Sequence, residues 1–444
     1  MPRNRAKKTS TADAAHSLHN PVARVSQTIN AARIIAFHQC ALSGNTRDKQ
    51  VGYMPLAGDK NNLPHFRPDG TFRVMQFADI QDVAPVNPDS LALMTAALDT
   101  ERPDLVVLTG DQVKGYAPAF RHKSPQEVES LTRRTIEQMC APMVSRGIPF
   151  IVTYGNHDRQ CGLDNAAQEA FYRDQPGCIN ANAWAELCPG TLCLPILASD
   201  AGSDAARLAI WLADSGAGDI GGGYEAFPAE TLDWLTGTAD RLAAEKDHPV
   251  PGILFQHIPL PQVYECLRPA RADEKGIPGY RAHYTPHLKL VCAEDYLESG
   301  TLREPVCCPD ADSGEFDALS KQGSFYGVFF GHDHKNTLVT RYRGMRLGYA
   351  PTAGFGSYGP SIERAARVFT FTENDPASFE THLLDYRTLV SAQAPHPLRD
   401  RISSTTPVTA EEAREAFRMP TLIACVAATT ALACRLIHTI TKRR

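Results

Sequence analysis

The stretch LVVLTGDQ, residues 105–112, decides how this chain is read. Its apolar run has no polar alternation, which is the pattern of a strand buried on both faces in a parallel sheet. The run stops at Gly110 and delivers a carboxylate, Asp111, at its carboxyl end. The same arrangement recurs four times. FRVMQFADIQ (72–81) ends in Asp79, Ile80 and Gln81, and IPFIVTYGNHD (148–158) ends in Gly155, Asn156, His157 and Asp158. GILFQHIP (252–259) carries His257, and SFYGVFFGHDH (324–334) ends in Gly331, His332, Asp333 and His334. Carboxylate, amide and imidazole groups together are the donors of borderline transition-metal ions rather than of calcium.

Helix signals lie between the first three runs. Residues 88–100 have helical periodicity behind an Asn87-Pro88 start, and a second helix over 125–145 opens on Ser124 with Glu127 three residues on, the spacing of a capping box. Strand, helix, strand, helix, strand is the order of parallel βαβ units, whose strand carboxyl ends share one edge where ligands bind. Asp79, Asp111 and Asn156 fall on that edge.

Outside this block the pattern loosens. Residues 159–223, rich in Cys, Asn, Pro and Gly, read as an irregular insertion over the rim of the site, with a strand near Leu208–Leu212. A helix is expected over 228–245 and a second irregular insertion over 269–323. LVTRY (338–342), MRLGY (345–349), RVFTFT (367–372) and FETHLL (379–384) read as short strands of a second, mostly antiparallel sheet. The domain so defined is 71–387. Before it, 1–70 reads as an arm with a helix-compatible stretch and a loop; after it come a linker and polar helix (388–418) and an apolar segment (419–444).

A chain of 444 residues with 43% apolar and 21% charged content is ordinary globular material, not a disordered one. A net charge of −5 argues against a protein that coats nucleic acid, which needs a basic excess. The twelve cysteines form no CxxC pair, so neither a zinc ribbon nor a redox motif is indicated. Buried free thiols are the expectation, with local bridging among Cys178, Cys188, Cys193, Cys307 and Cys308 as the alternative for an exported chain. The basic start (Arg3, Arg5, Lys7, Lys8) runs into polar residues and Asp13, unlike a signal peptide. The 419–440 segment, interrupted by Arg435 and followed by Lys442, Arg443 and Arg444, reads either as a membrane span or as an amphipathic helix. The chain is therefore expected to be cytoplasmic, or membrane-associated through its carboxyl terminus.

The five motifs, in this order and each behind a strand, resemble the calcineurin-like metallophosphoesterase superfamily. FQHIPLP (255–261), FFGHDHKN (329–336) and GYAPTAGFGSYG (348–359) narrow the resemblance to its purple-acid-phosphatase-like branch. The resemblance spans about residues 71–387. It implies an α/β fold, a four-layer αββα sandwich of two mixed β-sheets flanked by helices. It implies two divalent metal ions, of the Mn, Fe, Zn or Mg class, and a phosphomonoester or phosphodiester as substrate, attacked by a hydroxide that bridges the ions. Carried over by position, Asp79, Asp111 and His334 hold the first ion; Asp111 bridges to the second, which Asn156, His257 and His332 complete. His157 stays off the metal beside the leaving oxygen, with Asp158 orienting its imidazole, and Asp333 is a turn residue.

Two departures stand out. The family usually has His two residues after the first Asp, where this chain has Gln81, which is either a substitute ligand or an empty position. Purple acid phosphatases carry a Tyr three residues after the bridging Asp; here that position is Lys114, with Tyr116 two further on, so no purple ferric centre is expected. The alternative to an enzyme is therefore a phosphate- or nucleotide-binding regulatory protein on a degenerate phosphatase scaffold. Taken singly, Asp79 or Asp111 reads as a cap and His257 as a core histidine. Only their joint occurrence points to metal. Lys114, Tyr154 and Arg159 are candidate phosphate contacts, while His248, His283 and His287 read as surface or rim residues.

Overall fold

Apolar runs in the sequence become strands, and the chain's polar punctuation sets their ends. In the computed structural model, which describes residues 63–200, 202–219 and 221–390, the elements begin with β1 (Thr71–Phe77), α1 (Pro88–Glu101), β2 (Leu105–Thr109), α2 (Pro125–Val144) and β3 (Phe150–Thr153). They continue with α3 (Asn165–Arg173), β4 (Ala185–Cys188), β5 (Thr191–Leu197), β6 (Ala206–Ala213), α4 (Ala229–Lys246) and β7 (Gly252–Gln256). Then come β8 (Leu267–Pro269), β9 (Leu290–Cys292), β10 (Leu297–Ser299), α5 (Glu315–Gln322), β11 (Phe325–Phe330), β12 (Val339–Tyr342) and β13 (Met345–Tyr349). β14 (Ala365–Thr372), β15 (Glu380–Asp385) and α6 (Tyr386–Leu389) finish the order. The helix starts are those the sequence announces. The Asn87 side chain accepts from the Asp89 N–H, and Ser124 and Glu127 form a reciprocal capping box, worth about 1 kcal/mol.

Two mixed sheets result. The first has the order β15-β14-β1-β2-β3, with β1, β2 and β3 parallel and β14 and β15 antiparallel additions. The second has the order β10-β12-β13-β11-β7-β6-β5-β4, with β13, β11, β7 and β6 parallel. Alternation along each strand sorts side chains into three cores. Val74, Leu105, Val107 and Ile151 of the first sheet meet Leu194, Ile210, Ile253, Phe255 and Phe329 of the second. Their neighbours Met75, Val106, Leu108 and Val152 face outward to Leu93 and Leu98 of α1 and Leu131 and Met139 of α2. On the far side, Trp211, Leu254 and Val328 pack on Leu235 and Leu242 of α4 and Phe316 and Leu319 of α5. Each fully buried side chain of this size contributes about 1.5–3 kcal/mol. The fold is thus the expected αββα sandwich, with the carboxyl ends of the parallel strands of both sheets at one edge.

Three expectations change. Residues 159–223 are not an irregular insertion: they supply α3 and the strands β4, β5 and β6. RVFTFT and FETHLL lie in the first sheet as β14 and β15, because the open edge of β1 takes β14 in antiparallel register, Val74 opposite Phe369. The second sheet accordingly has a parallel centre. The stretch 269–323 remains mostly loop, tied by the two-stranded ribbon of β8 and β9. The nine cysteines of the described residues are all free. No helix among the described residues is long and apolar enough to cross a membrane. The arm over 1–62 and the segments over 391–444, including the apolar one, lie outside the described residues.

Candidate metal centre

All seven residues singled out as ligands sit at the edge where both sheets end, and all are buried. Asp79 and Gln81 follow β1, Asp111 follows β2 and Asn156 follows β3; His257 follows β7, and His332 and His334 follow β11. Sharp exits are needed for side chains to turn back into one pocket. Asp79, Gln81, Asp111 and His332 all have positive φ, at 52°, 44°, 51° and 71°. For non-glycine residues this backbone costs on the order of 1–3 kcal/mol each and clusters at functional sites. Gly110 completes the approach: at φ 85°, a Cβ there would lie 2.7 Å from both the Gly155 nitrogen and His257 Nδ1.

Asp111 is the hub. Its Oδ2 lies 3.2 Å from His257 Nε2 and 4.0 Å from His157 Nε2, and it accepts from the Gln81 amide at 3.2 Å. Its Oδ1 accepts from the His157 backbone N–H at 2.7 Å. Asp79 links the other imidazoles: Oδ1 is 3.3 Å from His334 Nε2 and 3.9 Å from His257 Nε2, and Oδ2 accepts from the His332 N–H at 2.9 Å. Asp111, His257 and His332 offer ligand atoms that all lie within 4.8 Å of one another.

The donor chemistry fits a cation. His257 Nδ1 donates to the Thr109 carbonyl at 3.0 Å, which leaves the Nε2 lone pair facing Asp111 Oδ2 and His332 Nδ1, each 3.2 Å away. Three electron-rich atoms at that spacing need positive charge between them. Four more buried donor atoms of the cluster have no hydrogen-bond partner: Asp79 Oδ1, Gln81 Oε1, Asn156 Oδ1 and His332 Nε2. The titration of the protein alone shows the same pressure. Burial opposes charging His257, but Asp111 and Asp79 outweigh it and raise it to about 10. Burial would raise Asp111, yet His257 and His157 hold it below the usual carboxylate range. Burial, with His257 alongside, pushes His332 far down, so its imidazole stays neutral.

His157 stands apart from the ligand cluster, with 31% of its side chain exposed. Its Nδ1 donates to Gln160 Oε1 at 2.9 Å, and the Tyr116 ring packs on it with centroids 4.6 Å apart. Asp158 does not orient this imidazole. Its Oδ2 accepts from the N–H groups of Asp111 and Gly155 and its Oδ1 from that of Val113, all at 2.8 Å. It is a clamp between two ligand loops, because consecutive side chains on this turn point apart. Asp333 is likewise structural, accepting from the Cys307 N–H.

The flanking candidates divide. Tyr154 is buried and donates to Glu169 Oε2 at 2.7 Å, so it does not meet phosphate. Lys114 Nζ donates to the Gly356 carbonyl at 2.8 Å, and the charge of Arg159 bears on the half-buried Asp214. His248 donates to the Pro249 carbonyl, His283 stacks on Tyr264 and His287 is exposed. Gln160 escaped the sequence reading; its signal is the i, i+3 spacing from His157 within the 3-10 turn Asp158–Cys161. Tyr224, whose ring meets His332 edge-on at 4.4 Å, left no such signal.

The family model for calcineurin-like phosphoesterases matches residues 72–336. The chain is 23% identical over 329 residues to "Probable inactive purple acid phosphatase 14" of Arabidopsis thaliana, covering 66% of this chain and 73% of that protein. It is 25% identical over 352 residues to "Probable inactive purple acid phosphatase 28" of the same plant, covering 69% and 77%. Among solved structures it is similar to a dimetal phosphatase from Danio rerio, at 11% identity and a TM-score of 0.40, covering 71% of this chain and 99% of that one. With the match reaching across all five strand-end motifs and more than half of its length, this chain belongs to the calcineurin-like phosphoesterase family.

Proposed function

We propose that the chain is a metal-dependent phosphoesterase that hydrolyses phosphomonoester or phosphodiester bonds at this cluster. Two divalent cations of the manganese, iron, zinc or magnesium class would lower the pKa of the attacking water and set positive charge against the phosphoryl oxygens. Asp111 would be shared between them, with Asp79, Gln81 and His334 completing one half and Asn156, His257 and His332 the other. His257 and His334 each give the Nδ1 proton to a carbonyl, of Thr109 and Tyr358, and so present Nε2 inward. His157, at the partly exposed mouth, has its Nδ1 on Gln160 and its Nε2 turned toward Asp111. There it can pass a proton to the departing oxygen or stabilise its charge.

The observation that carries this reading is the buried trio of Asp111, His257 and His332, whose ligand atoms all lie within 4.8 Å of one another. It is tested by stripping the full chain with a chelator, restoring Mn²⁺, and measuring bound ions and aryl phosphate hydrolysis. Asp111→Asn and His257→Ala are expected to lower turnover at least about a hundredfold, since even outer-shell losses cost about 10–100-fold, with circular dichroism unchanged. Undiminished turnover in either variant refutes the assignment.

A second reading has its own support. The Gln81 amide donates into Asp111 where a lone pair would serve a cation, and two relatives carry the word inactive in their names. On that reading the protein binds phosphate or a nucleotide without hydrolysing it, as a regulator. One ion or none per chain, tight phosphate binding and no turnover would favour it.

A further inference from the structure

The segment GYAPTAGFGSYG (348–359) supplies no ligand, yet it threads between the strand ends that do. After β13, the Ala350 N–H donates to the Phe330 carbonyl at 2.8 Å, the Thr352 N–H to the His334 carbonyl at 3.0 Å and the Ala353 N–H to the Ala78 carbonyl at 2.9 Å. Thr352 Oγ1 donates to the Asp79 carbonyl at 2.6 Å. The loop that follows is wound on one side chain. Arg364 is fully buried; its Nη1 donates to the Gly354 carbonyl and, at 3.5 Å, to that of Tyr358, and its Nη2 donates to the Ser357 carbonyl at 2.9 Å. Its guanidinium carbon lies 4.8 Å from the Phe355 ring centroid. A buried guanidinium is tolerated only where acceptors are fixed around it, so the loop and the arginine define each other's positions.

The loop acts on the site at two points. The Tyr358 carbonyl accepts from His334 Nδ1 at 2.6 Å, and the Tyr358 ring stacks on the His334 ring at 4.1 Å and 7°. Gly354 presses so closely on the Ile80 carbonyl that a Cβ there has no room, which puts the loop against the turn where Asp79 and Gln81 hold positive φ. The other half is held differently. His257 Nδ1 is fixed by the Thr109 carbonyl at the end of β2, with no loop between.

We infer that Arg364 is a positioning residue for the half of the centre formed by Asp79, Gln81 and His334, acting through the Gly354–Tyr358 loop and leaving the His257–His332 half untouched. The inference rests on the proposed reading that this half receives a cation.

The test uses the full chain with Arg364→Met, Arg364→Lys and Tyr358→Phe. Metal-free protein with ¹⁵N-labelled histidine reports the rings by NMR, and Mn²⁺ titration reports the ions. In Arg364→Met the His334 ring signals shift and broaden while those of His257 stay, and one class of Mn²⁺ weakens by about 10–100-fold, the other by less than about twofold. Arg364→Lys recovers part of the loss, and Tyr358→Phe, which keeps carbonyl and ring, matches the parent. Unchanged His334 signals, or equal changes at His257 and in both ion classes, overturn the inference. If Arg364→Met does not fold, Arg364→Lys decides in the same two measurements, since it keeps a cation there but loses the fork that reaches three carbonyls. A parent chain that binds no Mn²⁺ refutes the proposed function instead, and the metal-free spectra still decide the role of Arg364.

Discussion

The two halves of the centre share Asp111 and are built in opposite ways. On one side His257 Nε2 lies 3.2 Å from both His332 Nδ1 and the Asp111 carboxylate, with His257 backed by the carbonyl of a strand. On the other, Gln81 offers an N–H to the same carboxylate oxygen, and His334 is held by a loop. One half sets two imidazoles beside the shared carboxylate, whereas the other sets one imidazole and an amide whose N–H already engages that carboxylate. An amide is also a weaker donor than imidazole to zinc or iron. The two halves should therefore hold cations unequally.

That inequality can be broken from either side. The largest effect is expected for His332→Ala, which removes a neutral imidazole from the electron-rich trio; calorimetry should show the tighter Mn²⁺ weakened by at least about a hundredfold. A loss confined to the weaker ion would reverse the ranking of the halves. Gln81→His should act in the other direction, trading an N–H donor for a lone pair. The weaker ion is expected to tighten by about tenfold, roughly 1.4 kcal/mol, with turnover rising alongside it. If neither moves, the asymmetry does not originate at Gln81.

The smallest effect belongs to a carboxyl outside both halves. Glu315, buried at the start of α5, is raised by burial from 4.5 to about 8. A folded value above the unfolded one means its stabilising contribution is full below about pH 4.5, falls as the pH rises from there and is gone once the pH passes about 8. Glu315→Gln, which cannot ionise, should therefore gain in Tm on the parent as the pH climbs from about 4.5 to about 8, by a few degrees for each kcal/mol or so, level off above that, and show no gain near pH 4. Ion binding in both halves should be unaffected. A Tm difference flat with pH would mean that Glu315 is not held neutral.

The parts of the fold legible in the sequence were those whose signal is local. The runs ending in Asp79, Asp111 and Asn156 are buried on both faces and punctuated by glycine or a capped helix, so their order and their shared edge followed. β5 was missed because TLCLPIL is buried throughout and carries Pro195, which reads as a break although its neighbours pair normally with β4 and β6. β14 and β15 were seen as strands but placed in the wrong sheet, since alternation identifies faces and not partners. At the site, residue types and spacing named the cluster. They could not say where Asp158 points, for its partners are backbone groups of residues 111, 113 and 155. Arg364 was invisible for the same reason: its role lies in three carbonyls that any residue type could supply.

Asp79, Gln81, Asp111 and Asn156 leave the ends of one sheet, and His257, His332 and His334 leave the ends of the other. A cation gripped by both sets would be a rivet through the sandwich, and whatever binding energy it released would also resist the parting of the two layers. On that reading, a variant that loses turnover but still binds the cation would keep the link between the two layers.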